Sequence, residues 1–159
     1  MLEQLASEWQ ALGVRAYRTI PSEGAAEIWR RLTEFPVEGD SPLVLKVNVV
    51  PSAVSGYMKL LKEVDPQCSI QAHAGNGVLR VRLSEFTHET PKLLVTRLQP
   101  AAIAAEGQAI VWSCAGASGL TRQAMWGAPR DEFQVMQAVK QQFDPHGLLN
   151  PGRFFFVKS

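Results

Sequence analysis

The chain has 159 residues, of which 46% are hydrophobic and 19% charged, and its formal net charge is +1. This length suits one domain with a sizeable core, and the near-neutral charge excludes a global attraction to nucleic acid or to an anionic membrane. The N-terminus has no signal-peptide pattern, and the longest apolar run, residues 43–50, is too short to span a bilayer. The sequence therefore predicts a soluble, cytoplasmic protein.

The first 40 residues are expected to form a helical segment. Apolar residues at helical spacing predict one helix over residues 2–12, which Gly13 ends, and a second helix from Ser22 to a stop at Pro36. A short strand is predicted between them, over residues 14–20. Because residues 37–42 are polar and rich in turn formers, we place the boundary there: residues 1–40 form the helical segment and residues 41–159 the main domain.

Two helices and two strands follow from periodicity in the main domain. The strand over residues 43–50 points Leu43, Leu45, Val47 and Val49 one way, and Lys46 and Asn48 the other way. Ser52 caps a helix that stops at residues 65–66, and Thr90-Pro91 opens a second helix that ends at Gly107. Pro100 lies inside that second helix and predicts a kink or a break. A last strand over residues 109–115 is expected to place Ile110, Trp112 and Cys114 on one face.

A β-hairpin over residues 68–84 lies between these helices. Asn76-Gly77 is a strong signal for a type I′ turn, which would pair His73 with Arg80 and Gln71 with Arg82. One face of the hairpin would then be apolar. The other would carry the polar side chains Gln71, His73, Arg80 and Arg82.

The order strand, helix, strand, strand, helix, strand predicts an α+β fold with the ferredoxin-like βαββαβ plan. Its sheet is antiparallel, and both helices pack on one face, which leaves the other face open. By this topology the first strand lies beside the third. The open face is therefore predicted to carry a polar, cationic patch made of Lys46, Asn48, Gln71, His73, Arg80 and Arg82.

The C-terminal part is predicted to be a helix over residues 129–143 and a tail that is tied down. Residues 144–147, Asp-Pro-His-Gly, fit a type I turn, and residues 150–152, Asn-Pro-Gly, fit a type II turn. Leu148 and Leu149 lie between the two turns. Two tight turns around an apolar pair indicate that the tail is fixed against another surface.

Three motifs, in the expected order, resemble one family. The tail FDPHGLLNPGR, residues 143–153, closely resembles the C-terminal signature of FAD-linked oxidases of the vanillyl-alcohol oxidase / p-cresol methylhydroxylase type. The segment HAGNG, residues 73–77, resembles the His-x-Gly-x-Gly segment of the same C-terminal domain. The segment KVNVVPS, residues 46–52, is similar to a stretch in the FAD-binding subunit of glycolate oxidase. The resemblance covers residues 43–156.

The resemblance implies the cap domain of an FAD-dependent 2-hydroxyacid (glycolate-type) oxidase or dehydrogenase, which covers the flavin and forms the substrate side. FAD would be held mainly by an N-terminal domain that this chain lacks, and we expect the chain to be inactive by itself. It implies His73 as the catalytic residue. It places Asn150 and Arg153 near the flavin, and we expect Asn76 to bind the cofactor as well. The open face offers Arg80, with Arg82 or Lys46 as a second choice, to bind the substrate carboxylate.

Partners follow from the same resemblance. They are an FAD-binding domain in cis or in trans, further glycolate oxidase subunits including an iron–sulfur subunit, and a small 2-hydroxyacid. Such subunits would allow a peripheral position at the inner face of the membrane. An exposed tail containing Phe154, Phe155 and Phe156 would also favour a homo-oligomer.

Two positions depart from the metal-binding branch of this family. The D-lactate and D-2-hydroxyglutarate dehydrogenases carry a second His seven residues after the first, where this chain has Arg80, and an Asp where it has Asn76. A guanidinium stays protonated and does not ligate metals, so we expect no metal site. An Arg there could instead hold a substrate carboxylate through two hydrogen bonds, which favours the glycolate oxidase branch.

Two alternative functions belong to other functional classes. One is a stand-alone ferredoxin-like binding or assembly module without catalysis. The other is a single-stranded RNA binder, which the sequence disfavours because base stacking needs aromatic residues on the central strands. The predicted positions there are Lys46, Asn48, Arg80 and Arg82.

Overall fold

The computed structural model describes residues 2–14, 18, 20–37, 39–115 and 119–150. The chain divides into two compact units, Met1–Glu34 and Phe35–Ser159. The first unit contains helices α1 (Leu2–Ala11) and α2 (Ser22–Glu34), as predicted. The strand expected over residues 14–20 falls largely on residues 15–17 and 19, which lie outside the described residues. The functional boundary at residue 40 stays a prediction.

The second unit alternates strands and helices in the predicted order. Its strands and helices are β1 (Leu43–Asn48), α3 (Val54–Val64), β2 (Ser69–His73), β3 (Val78–Leu83), α4 (Thr90–Leu93), α5 (Gln99–Ala104), β4 (Gln108–Cys114), α6 (Arg122–Trp126) and α7 (Glu132–Phe143). A 3₁₀ turn (Pro51–Ala53) follows β1, a second one (Ala74–Asn76) joins β2 to β3, and a π-helical segment (Leu94–Leu98) joins α4 to α5.

The four strands form one antiparallel sheet in the order β2-β3-β1-β4. In this order β1 lies beside β3, and the strands of both βαβ units belong to one sheet. The prediction of a ferredoxin-like α+β fold is therefore confirmed. The core lies between one face of the sheet and the helices α3 to α5. Its most deeply buried members are Leu43, Leu45, Val47, Leu61, Leu79, Val81, Leu94 and Leu98.

The irregularity expected at Pro100 takes the form of the π-helical segment that precedes α5. Proline cannot donate a backbone hydrogen bond, so a regular α-helical ladder cannot pass through it. The chain then turns at Glu106, whose φ is 54°, and Gly107 leads into β4. A Cβ on Gly107 would overlap the carbonyl oxygen of Asn48, so only glycine permits this close approach.

The predicted register of the hairpin is wrong by two residues. The structure pairs Gln71 with Arg80 and His73 with Val78. The type I′ turn does not form. A 3₁₀ turn over Ala74–Asn76 is closed instead by Gly77, which has a φ of 68°. Gly77 accepts a hydrogen bond of 2.8 Å from the Val49 amide, and a Cβ on Gly77 would overlap the Val49 carbonyl oxygen, so contact with the end of β1 fixes the loop. A shift of two residues leaves each side chain on its predicted face.

The placement of Cys114 on the same face as Ile110 is also wrong. A β-bulge adds one residue to β4 between the partners of Val44 and Leu45. Beyond the bulge the alternation is inverted, so Cys114 pairs with Leu43 and packs at the edge of the core. Cys68 and Cys114 are both free thiols, and burial raises the pKa of each.

The C-terminal helix and first turn form where they are expected. Helix α7 ends at Phe143, and the Gly147 amide donates to the Asp144 carbonyl at 3.1 Å, which closes the turn over residues 144–147. Helix α6 was not predicted. The second predicted turn, at residues 150–152, falls mostly outside the described residues.

Candidate functional site

The face of the sheet opposite to α3 and α5 carries the predicted cationic patch, and we call it the polar face. Strand pairing arranges it in three rows across β2, β3, β1 and β4. It is not fully open, because Val44 and Gln71 are only 3% and 8% exposed. The rows are Ser69, Arg82, Val44 and Ser113; Gln71, Arg80, Lys46 and Ile110; and His73, Val78, Asn48 and Gln108.

Two of the predicted substrate-binding residues meet in the middle row. Lys46 and Arg80 are directly paired across β1 and β3. Lys46 Nζ lies 5.8 Å, and Arg80 Cζ 5.3 Å, from the ring centroid of Trp112. Arg80 Nη1 also donates to Gln71 Oε1 at 3.2 Å. One indole ring therefore contacts both cations, within the range of cation–π attraction.

Arg82 is separated from this pair. Its guanidinium lies 5.6 Å from the ring centroid of Phe35 and packs so closely on Gly39 that a Cβ there would be 2.5 Å from Arg82 Nη2. The segment that precedes β1 therefore holds Arg82. The structure brings Lys46 and Arg80 together and places Arg82 with a different partner.

The predicted catalytic residue lies at the edge of the polar face. His73 ends β2, is exposed, and is paired with Val78 rather than with Arg80. It is one row and one strand away from Arg80, so the two are diagonal neighbours. Asn76 is exposed in the 3₁₀ turn that follows.

Two buried polar atoms on the polar face have no hydrogen-bond partner among the described residues. They are Arg80 Nε, a donor, and Asn48 Oδ1, an acceptor. Native structures rarely leave buried polar atoms unpaired, and such atoms mark places where a ligand or a water can bind. Next to Asn48, the side chain of Gln108 accepts from Arg130 Nη2 at 3.1 Å.

The predicted tail contacts are organised by Asp144. Its carboxylate accepts from the Leu148 amide at 2.8 Å and the Leu149 amide at 2.9 Å, and it pairs with Lys140. Lys140 also donates to the Leu149 carbonyl at 2.7 Å. The hydrogen-bonded contact with Lys140 is the main cause that lowers the pKa of Asp144, and the hydrogen bonds from the two amides lower it further. Asn150 follows with a φ of 50° and is exposed, while Arg153 lies outside the described residues.

Sequence reasoning missed two residues that organise this site. The alternation in β4 grouped Trp112 with Ile110 but did not show that both would face Lys46. Asp144 was interpreted as a turn former, although an Asp four residues after Lys140 also signals an ion pair within one helical turn. In the part of the chain that the structure describes, no three His, Cys, Asp or Glu side chains come together as a metal site. None of the described helices is long and apolar enough to cross a membrane.

The family described as "FAD linked oxidases, C-terminal domain" matches residues 117–154. This stretch is less than half of the chain, and it contains α6, α7 and the tail held by Asp144. The match supports a C-terminal domain of FAD-linked oxidases and thereby the flavin-linked oxidoreductase class. No curated protein and no solved structure matches the chain at a significant level.

Proposed function

We propose that the chain is the substrate-side domain of an FAD-dependent oxidase or dehydrogenase of small 2-hydroxyacids. Within the vanillyl-alcohol oxidase / p-cresol methylhydroxylase type, the counterpart that we propose is the FAD-binding subunit of glycolate oxidase. The observation that carries it is the family match over residues 117–154, in a chain whose sheet and helices form a ferredoxin-like domain. The motifs HAGNG and KVNVVPS support the narrower assignment.

The chemistry of this reaction gives a role to three side chains of the polar face. Oxidation of a 2-hydroxyacid requires that the carboxylate is held, that the hydroxyl proton is removed and that a hydride leaves the substrate carbon. Bound FAD supplies the acceptor for that hydride. Arg80 and Lys46 form the cationic pair that binds the carboxylate. His73, exposed at the end of β2, accepts the hydroxyl proton, because an imidazole can take up a proton at neutral pH.

The described residues fit a flavin held mostly by another domain. Asn76 and Asn150 are exposed amides that can contact a cofactor bound on a partner. Arg80 Nε and Asn48 Oδ1 offer one free donor and one free acceptor on the polar face. The partner in this proposal is an FAD-binding domain, in cis or in trans.

The proposal is tested by kinetics of the chain assembled with its FAD-binding domain. We expect His73→Ala to lower kcat by roughly 10²-fold, the usual scale for a lost acid–base group. Arg80→Ala should mainly raise KM, because a carboxylate contact acts on the ground state and the transition state alike. The matched controls are His88→Ala and Arg97→Ala, since both residues are exposed and neither belongs to the rows of the polar face.

Near-normal turnover of the His73 variant with flavin bound would remove His73 from the mechanism. An assembled complex that binds flavin and 2-hydroxyacid but never turns over would contradict the enzymatic part. It would favour the binding module without catalysis.

A further inference from the structure

Trp112 lies on the polar face at the β-bulge of β4. It is the extra residue that β4 inserts opposite the step from Val44 to Leu45. A bulged residue is re-aimed relative to the regular pleat, and bulges recur beside functional sites. Here the indole lies on the polar face against Lys46 and Arg80, with 48% of the side chain exposed. A large aromatic group is thus held at the surface next to two cations.

The two cations have an unusual electrostatic environment. Like charges directly opposite each other on neighbouring strands repel. In the part of the chain that the structure describes, neither Lys46 nor Arg80 forms an ion pair. The polar-face rows contain no Asp or Glu. The ring of Trp112 and the Gln71 oxygen that accepts from Arg80 offset this repulsion in part, and the positive charge of the pair remains for an anion.

We propose that Lys46 and Arg80 form a subsite for one carboxylate of a small ligand, and that Trp112 is the positioning residue of this subsite. The identity of the ligand as a substrate rests on the proposed function, whereas the subsite is made by this chain alone. Arg80 Nη1 is engaged by Gln71, which orients the guanidinium, and Arg80 Nε remains unpartnered. A carboxylate provides the acceptors that this donor and Lys46 Nζ lack.

Trp112 acts by pre-organisation. Lys and Arg side chains lose much rotamer freedom when they bind a ligand, and a protein that has already fixed them binds more tightly. Contact with one ring fixes both cations at one point of the sheet. This arrangement favours a compact anion over a nucleic-acid strand, which needs a charged groove and several stacking positions along its length. Arg82 does not extend the charge, because it packs on Phe35.

The test is a titration of the isotope-labelled 159-residue chain with glycolate, followed by NMR at the Arg80 Nε–H and the indole N–H of Trp112. We expect saturable shifts with glycolate and none with ethylene glycol, which replaces the carboxylate by a neutral group. Trp112→Leu should weaken glycolate binding by about fivefold, the loss expected for about 1 kcal/mol of cation–π contact. Trp112→Phe keeps an aromatic face and should restore binding to within about twofold.

A spectroscopic signature separates positioning from a general structural effect. The Lys46 methylene protons should show an upfield ring-current shift in the wild type and in Trp112→Phe, and lose it in Trp112→Leu. Lys46→Met should lower glycolate affinity by at least tenfold, as expected for a lost charge-assisted contact. Lys92→Met is the control, because Lys92 is exposed on α4, and it should bind glycolate as the wild type does.

Equal glycolate affinity in the wild type, Trp112→Leu and Trp112→Phe would overturn the positioning role. Inorganic phosphate or a short single-stranded oligonucleotide that binds more tightly than glycolate would overturn the carboxylate subsite. Failure here is distinguishable from failure of the proposed function. The subsite can bind glycolate in a chain whose assembled complex has no oxidase activity, and His73→Ala can abolish turnover in a complex where Trp112→Leu changes nothing.

Discussion

Helices α3 and α7 have similar sequence patterns and opposite surroundings. Both place apolar residues at helical spacing, yet α3 buries Val54, Tyr57 and Leu61, while α7 buries no residue. On α7 the side chains of Val135, Val139 and Phe143 are 65%, 52% and 80% exposed. With Met136 and Leu149 they line a shallow apolar groove.

The comparison teaches that periodicity predicts a helix but not its burial. The sheet offers its apolar face to α3 and to the α4–α5 helix, and those helices cover it. The tail beside α7 is ordered by polar contacts at Asp144 instead. Helix α7 and the residues that follow it, within the stretch that matches the FAD-linked oxidase C-terminal domain, thus expose most of their apolar residues, whereas the ferredoxin-like core buries its own.

The largest difference in stability is expected between a Leu→Ala substitution on α3, in the core, and the same substitution beside α7. Leu61→Ala should lower the free energy of unfolding by about 2–5 kcal/mol, because Leu61 is fully buried and its loss leaves a cavity. Leu149→Ala, at a residue 62% exposed beside α7, should change it by less than about 0.5 kcal/mol. Urea unfolding followed by circular dichroism measures both. Equal losses would show that the groove of α7 is buried in solution.

A smaller loss is expected at the polar contact between α3 and the helix that follows. Tyr57 donates its hydroxyl hydrogen to the Leu98 carbonyl at 2.9 Å, and burial raises the pKa of Tyr57. Tyr57→Phe removes this donor and should cost about 1 kcal/mol. The same urea experiment checks it. A variant as stable as the wild type would indicate that water replaces the lost hydroxyl.

The smallest effect is local and concerns pH at the end of α7. Lys140 and the two amides lower the pKa of Asp144 in the folded chain, so its contribution to stability is complete above the ordinary aspartate pKa. This contribution is lost as the pH falls through the lowered folded-state pKa. We expect the protection of the Leu148 and Leu149 amides from hydrogen exchange to fall over that acidic range. In Asp144→Asn the protection should already be low at neutral pH and should not follow this titration. Retained pH dependence in that variant would assign the effect to another group.

Most of the fold was predictable because its signals are local. Alternation of apolar and polar residues defined the two faces of β1 and β3. The helices, the turn at residues 144–147 and the resemblance of the tail to FAD-linked oxidases were also predicted from neighbouring residues alone. The predicted pairing of Lys46 with the strand of Arg80 was confirmed, since the order of elements allows few topologies. The roles of His73, Asn76, Asn150 and Arg153 stay predictions.

The sequence by itself determined which side chains of β1, β2 and β3 share a face of the sheet, because the period of a regular strand is fixed by its backbone. Only the tertiary structure decided which of them meet. The hairpin register depended on Gly77 packing against Val49, and the face of Cys114 depended on the bulge in β4. Phe35 and Trp112, which are distant from the cations along the chain, separated Arg82 from the pair of Lys46 and Arg80. Contacts between residues far apart in sequence leave no periodic pattern, so they became visible only once the chain was folded.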